Sequence, residues 1–387
     1  MPLRVRGFQF GAATAGIKAS GRPDVGVIAC AAGTIGAGVF TQNRVVAAPV
    51  IVSRAALARC RGAVRGVVVN SGNANACTGA RGLADAKAMA ARTAAALGVP
   101  AGRVVVASTG VIGVPLPMRA VDRGIAAAAA SLGPDLAPFA EAILTTDRAA
   151  KTARARAGSA TLIGCTKGAG MIAPNMATTL TFVCTDARLP LPALDRAVRR
   201  AADATFNSLT VDGDTSTNDM LLVLASGAAA RAPTAAEFER ALERLLADLA
   251  HQLMRGGEGV HHVVTVRVDG ARSTADARAV ARAIATSSLV KTAIAGGDPN
   301  WGRFLAAAGN AGVAIRPDRI DAWLDRVPIV RGGCGVGGAA AERRAAAVMR
   351  RPEYTLRLHL HQGRASGHCL ACDLSHEYVS INADYRT

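Results

Sequence analysis

The chain has 387 residues, half of them hydrophobic and only 3% aromatic, and a formal net charge of +17. Such a chain can bury one large core or two to three domains, built chiefly from Ala, Val, Leu and Ile. The charge does not indicate a nucleic-acid partner: 40 of the 45 basic residues are Arg, scattered among alanines as in Ala197-Val-Arg-Arg200, with no aromatic platform or nucleic-acid motif beside them.

The N-terminus, Met1-Pro-Leu-Arg-Val-Arg-Gly, lacks the continuous apolar core of a signal peptide. Two long uncharged runs, Val25–Asn43 and Gly168–Thr185, are broken by Gly or Pro and do not read as membrane spans. The eight cysteines are too few for a disulfide scaffold in a chain of this length. A soluble cytoplasmic protein is the expectation.

Apolar runs alternate with Ala-rich stretches, which predicts α/β or α+β architecture. Val67–Val69 reads as a strand entering a turn cluster, Asn70-Ser-Gly-Asn-Ala-Asn75. A helix is expected over Leu83–Leu97, then a strand over Val104–Ala107 and a loop at Ser108-Thr109-Gly110. Further helices are expected over Leu191–Ala204 and Ala235–Met254, the second opened by a Thr234/Glu237 capping box. Val263–Val268, Tyr354–Leu360 and Tyr378–Ile381 read as strands.

The most informative segment is Lys167-Gly-Ala-Gly-Met-Ile-Ala-Pro-Asn-Met-Ala177-Thr178-Thr179. A threonine in mid-chain is a poor nucleophile because nothing adjacent takes its proton. A cut before Thr178 would free an α-amine with a pKa of about 7.7–8.0, able to act as base to its own hydroxyl. Thr178–Asp186 reads as a strand, so the nucleophile would start on a rigid element. Ala177/Thr178 is therefore the sharpest boundary in the chain, dividing residues 1–177 from 178–387. Lys167 stands out as one of only five lysines. An ordinary strand after a glycine loop shows the same pattern, and the residues alone leave that alternative open.

Three other patterns have blander readings. Gly333-Cys-Gly-Val-Gly-Gly338 matches the dinucleotide-binding glycine spacing, but too little chain follows for a doubly wound domain, so a glycine-rich turn is expected. His359, His361, His368, Cys369 and Cys372 contain potential zinc ligands, yet one CxxC on an alternating strand is a weak signal. Asp212, Asp214 and Asn218 lack the glycine and final Glu of a calcium loop. No metal is expected.

The segment ending at Thr178 resembles the self-cleavage segment of the ornithine acetyltransferase family, the bifunctional glutamate N-acetyltransferases. Blocks in matching order extend the resemblance over nearly the whole chain. They are Ser20–Asp24, Gly38–Arg44, Asn70–Asn75, Ser108–Gly113, Thr145-Thr146-Asp147, Thr210–Asp219, Gly257-Glu258-Gly259, Lys291–Arg303 and Asp373–Thr387.

The resemblance implies an N-terminal-nucleophile-type α/β fold. Thr178 would split the precursor at Ala177/Thr178 into intertwined α (1–177) and β (178–387) chains, in an α2β2 assembly. It implies acetyl transfer from N-acetylornithine to glutamate through an acetyl-threonine, with no nucleotide or metal cofactor. Some family members also take acetyl from acetyl-CoA, and the sequence leaves that donor open. Thr109 and Gly110 match the family's oxyanion-hole pair. Lys167, Thr178, Glu258, Asn382 and Thr387 match substrate positions, with Thr146 favoured over Thr145 for one more. Thr179 and Val260-His261-His262 depart from the family pattern. A hydrolase or aminopeptidase with the same threonine machinery is the alternative.

Overall fold

The structure, a computed structural model, describes residues 2–173 and 179–384. Ala177, Thr178 and Thr387 therefore lie outside the described residues. The chain forms two units, one from Met1–Asn207 and Asp214–Leu253, the other from Ser208–Gly213 and Met254–Tyr385.

The first unit contains the strands β1 (Phe8–Ala13), β2 (Val25–Cys30), β3 (Ile35–Phe40), β4 (Gly66–Asn73) and β5 (Val104–Val111). It continues with β6 (Lys151–Ala157), β7 (Ala160–Lys167), β8 (Leu180–Thr185) and β9 (Met220–Ala225). They assemble into two sheets, of order β1-β2-β4-β5 and β3-β9-β8-β7-β6.

Strand alternation explains the layering. Ile28 and Cys30 of β2, Val67 and Val69 of β4, and Val105 and Ala107 of β5 point to one face. They share one core with Leu180, Phe182 and Cys184 of β8 and Met220, Leu222 and Leu224 of β9. The intervening Val25, Val27, Val68, Val104 and Val106 face away, against the helices Ala48–Arg59, Gly79–Leu97 and Met118–Ala130. Gly164 of β7 leaves room on the far side of the second sheet for Leu245 and Leu249 of the helix Ala235–Arg255, both within about 3.2 Å of where a Cβ would stand. The order of layers is helix, sheet, sheet, helix. Strands buried on both faces need continuous apolar runs, which is how the central ones read. With so few aromatics, Phe139 joins the sheets by meeting Phe182 edge-on at 5.3 Å and Phe10 at 6.5 Å.

Three expectations about the first unit need correction. The turn cluster at Asn70–Asn75 is strand as far as Asn73, and the loop at Ser108–Gly110 lies within β5. β4 and β5 run parallel with Asn70 opposite Ser108, Ser71 opposite Thr109 and Gly72 opposite Gly110. Side chains that would favour a turn satisfy one another across the pair, as where Ser108 Oγ donates to Asn70 Oδ1 at 2.6 Å. The helix expected from Leu83 starts a turn earlier, at Gly79. Leu191–Ala204 is a helix over the expected residues, and the Thr234/Glu237 box opens the helix at Ala235.

The second unit holds β10 (Val263–Ala271), β11 (Asp321–Leu324), β12 (Val327–Arg331), β13 (Cys334–Gly335), β14 (Glu353–His359) and β15 (Ala365–Cys372). Its sheet order is β13-β12-β11-β14-β10-β15, with β10 and β14 parallel. The helices Thr274–Thr286, Ser288–Gly296, Trp301–Gly309 and Ala339–Met349 pack on it around Val264, Val266, Leu356 and Leu358.

The strand expected at Tyr378–Ile381 is instead part of a helix, His376–Asp384. Ser375 Oγ accepts the Tyr378 N–H at 3.1 Å, an N-cap that the β-branched Val379 and Ile381 do not override. The glycine run Gly333–Gly338 includes the antiparallel hairpin of β12 and β13, with Val330 opposite Gly335, so it is no parallel βα turn. Among the described residues, no helix is long and apolar enough to cross a membrane.

Candidate active site

Gly110 is set by the backbone. Its φ is +130°, and a Cβ there would stand 2.3 Å from the carbonyl carbon of Gly72. Only glycine fits where β4 and β5 approach and the register shifts between Gly72 and Asn73. Asn218 secures the same region, donating to the carbonyls of Ala74 at 2.6 Å and Ser108 at 2.9 Å. Thr109 thus leaves a strand whose neighbours are fixed on both sides.

Lys167 is the last residue of β7, and in register it faces Leu180, the first residue of β8. Covalent connectivity puts Thr178 two residues before Leu180. The Lys167 ammonium is buried and donates to Thr109 Oγ1 and to Thr145 Oγ1, each at 2.9 Å. Thr109 and Lys167 are therefore brought together, although 58 residues separate them. The hydroxyl that meets Lys167 belongs to Thr145; the neighbouring Thr146 is half-buried.

A carboxylate supports the cluster from below. Asp147 accepts from the Gly168 N–H at 2.8 Å and the Thr145 N–H at 3.3 Å, and is ion-paired with Lys151. Burial works against its charge, but the Lys167 and Lys151 ammonium groups and the Gly168 N–H outweigh it and hold the carboxyl below its ordinary range.

Asp219 has the opposite character. Its Oδ1 accepts the Thr179 N–H at 2.9 Å, and its Oδ2 has no hydrogen-bond partner among the described residues. Burial pushes this carboxyl well above its ordinary range, the Thr179 N–H and the charge of Lys167 offsetting only part.

Lys18 joins the same neighbourhood, donating to the Leu144 carbonyl at 3.1 Å. Burial lowers its ammonium below the ordinary value, with Asp24 acting in the other direction. Asp24 takes the N–H groups of Ala15, Ile17 and Lys18, which shapes that loop.

Asp147, Asp219 and Lys18 are the residues that sequence reasoning did not single out. Each had a signal. Asp147 and Asp219 end quoted motif blocks, and Lys18 is one of five lysines in an Arg-rich chain.

The second unit brings two other expected site residues together. Asn382 Nδ2 donates to Glu258 Oε2 at 3.1 Å and to the Tyr378 carbonyl at 3.0 Å. Asp373 accepts the N–H groups of His261 and His262, and Ser375 Oγ donates to the Gly259 carbonyl. The departure at His261-His262 is thereby anchored to the segment that leads into the helix carrying Asn382.

The cysteine and histidine cluster has another environment. Cys369 and Cys372 lie in β15 with buried thiols, pushed up by that burial to about 12 and about 11. Lys291 donates to the Cys372 carbonyl at 2.6 Å. No group of three or more metal-binding side chains occurs among the described residues.

Residues 9–387 match the ArgJ family. The chain is similar to the arginine biosynthesis bifunctional protein ArgJ of Geobacter sulfurreducens, 47% identical over 397 residues that cover all of both chains. It is also similar to the protein of that name from Thermus thermophilus, 45% identical over 382 residues covering 99% of this chain and 98% of that one. The crystal structure of the arginine biosynthesis bifunctional protein from Bacillus halodurans matches with a TM-score of 0.50 and 38% identity. It covers 53% of this chain and 98% of its own.

Proposed function

The chain belongs to the ArgJ family of arginine biosynthesis, and on that premise we propose that it cleaves itself at Ala177/Thr178 and then moves acetyl groups from N2-acetyl-L-ornithine to L-glutamate. In the first reaction the Thr178 hydroxyl attacks the Ala177 carbonyl and the Thr178 nitrogen leaves with a proton. Water then splits the resulting ester. Residues 1–177 become the α chain and 178–387 the β chain, and Thr178 acquires a free amine.

In the second reaction the hydroxyl, its proton taken by that amine, attacks the acetyl carbon of the donor. Ornithine leaves with the proton, and the glutamate amine then takes the acetyl group from Thr178. Thr109 and the N–H of Gly110 stabilise the oxyanion in each tetrahedral intermediate. Thr146, Lys167, Thr178, Glu258, Asn382 and Thr387 are the proposed substrate-binding residues. No metal or nucleotide cofactor enters this scheme, and acetyl-CoA is a second donor to be tested. An α2β2 assembly and a cytoplasmic location complete the proposal.

The observation that carries the reading is the hydrogen-bonded set of Thr109, Thr145 and Lys167, in which Thr109 and Lys167 are buried and Thr145 half-buried, with Lys167 in register two residues from the proposed nucleophile. The solved Bacillus halodurans chain supports it in a second way. That chain matches over nearly its whole length yet spans little more than half of this one, the share that residues 178–387 would represent.

Intact mass of the purified protein tests the cut: two fragments meeting at Ala177/Thr178 are expected, and a stable full-length chain with full activity would refute it. Incubation with N-acetylornithine, with and without glutamate, tests the transfer. Acetate release indifferent to glutamate would assign the protein to hydrolysis instead.

A further inference from the structure

A hydroxyl's proton is normally free to rotate, so an oxyanion donor made from threonine needs something to aim it. Here that direction can be read from the partners. A lysine ammonium has three donors and no acceptor, whereas a threonine hydroxyl has one donor and two acceptor lone pairs. Where Lys167 Nζ lies 2.9 Å from Thr109 Oγ1 and 2.9 Å from Thr145 Oγ1, both hydroxyls must be accepting. Each therefore keeps its single O–H for a partner on another side.

We propose that Lys167 is a positioning residue for the oxyanion donor: by filling a lone pair on Thr109, and likewise on Thr145, it directs their O–H groups into the reaction site. The proposal rests on the reading that Thr109 supplies an oxyanion donor, and it adds a role for Lys167 beyond pairing with a substrate carboxylate.

Charge strengthens the arrangement. A hydrogen bond from a cation polarises the hydroxyl that accepts it and makes that hydroxyl a better donor in turn. Lys167, Thr109 and Thr145 form such a chain, and burial of Lys167 and Thr109 weakens the screening of its charged link by water. Asp147 keeps the chain in place from the opposite side. It holds the N–H of Gly168, next to Lys167, and the N–H of Thr145, while its own charge is secured by Lys151. One carboxylate thus fixes the backbone at both ends of the Lys167–Thr145 contact. Asp147 and Lys151 are positioning residues for the same reason.

A double-mutant cycle tests the coupling. Thr109→Val removes the hydroxyl with little change of shape, and Lys167→Met removes the ammonium while keeping the stem. Each single variant is expected to lower kcat for transfer about 10²-fold. The double variant should lose no more than the worse single one, because one function is removed twice. Losses that multiply would overturn the proposal. So would a Lys167→Met variant whose KM for glutamate rises while kcat is unchanged, since that is the signature of carboxylate pairing alone.

If a variant remains uncut, the same cycle is read on the half-time of cleavage by intact mass, because that step forms an oxyanion too. Should Lys167→Met fail to fold, Lys167→Gln gives the second measurement. Its amide still donates to a hydroxyl but carries no charge, so kcat should fall, though less than in Thr109→Val, alongside any rise in KM from the lost carboxylate pairing. A KM increase alone would again overturn the proposal. Wild-type protein that neither cuts itself nor transfers acetyl would instead remove the functional reading, which keeps the two failures distinguishable.

Discussion

Single residues decide most of the chemistry. Thr178→Ala should abolish both self-cleavage and transfer, because the methyl group can neither attack nor hold an acetyl group; one intact-mass spectrum and one transfer assay check both. Gly110→Ala should destabilise the fold even before it affects catalysis. The added Cβ meets backbone atoms of Gly72 and Asn73 within 2.5 Å, at a φ of +130° that other residues avoid. The strain alone costs about 1–3 kcal/mol, so a lower urea midpoint with an unchanged slope is expected.

The two buried aspartates give pH effects of opposite sign. Asp219 holds its proton to a higher pH when folded than when unfolded. Above the ordinary carboxylate range of about 3.9, the folded state keeps a proton that the unfolded state has released, and stability falls as pH rises. Asp219→Asn removes that slope, so urea melts should show the variant gaining on the wild type as pH rises above the ordinary carboxylate range toward the folded pKa. Asp147, held low in the fold, adds stability above the unfolded value and loses it as pH falls through its folded pKa.

At the scale of elements, local signals worked where local forces decide. The capping box at Thr234 and Glu237 was legible because it is made within four residues, and its hydrogen bonds form as expected. Replacing Thr234 with Ala should cost about 1 kcal/mol, measured as a shift in the urea midpoint. The segment Tyr378–Ile381 was misread because Tyr, Val and Ile favour strands only when a sheet edge accepts them. Val379 has no such edge and stays 58% exposed, while Ser375 starts a helix instead. Asn70–Asn75 and Ser108–Gly110 were misread in the other direction. Their turn-forming side chains become strand once each finds its partner across β4 and β5.

At the scale of the molecule, the proposed cut falls between strands that share a sheet. β7 precedes the cleavage site and β8 follows it, yet they pair antiparallel from Leu162 with Thr185 to Lys167 with Leu180. Ile28 and Val67, from before the site, and Phe182 and Leu222, from after it, lie in one core. A single broken peptide bond leaves that sheet and core in place. The two fragments should therefore co-elute on size exclusion and separate only in denaturant.

By itself the sequence determined the family and the mixed α/β class, and it is the source of the proposed cut. These depend on motifs, apolar alternation and the covalent order of residues. It also held the residues of the site, but not their grouping. That Lys167 meets Thr109 and Thr145, that Asp147 has its proton affinity lowered beside them, and that Asp219 has its own raised beside Thr179 was decided only by the tertiary structure. Hydrogen-bond direction and proton affinity depend on distance and burial, and those are properties of residues brought together in space from distant parts of the chain.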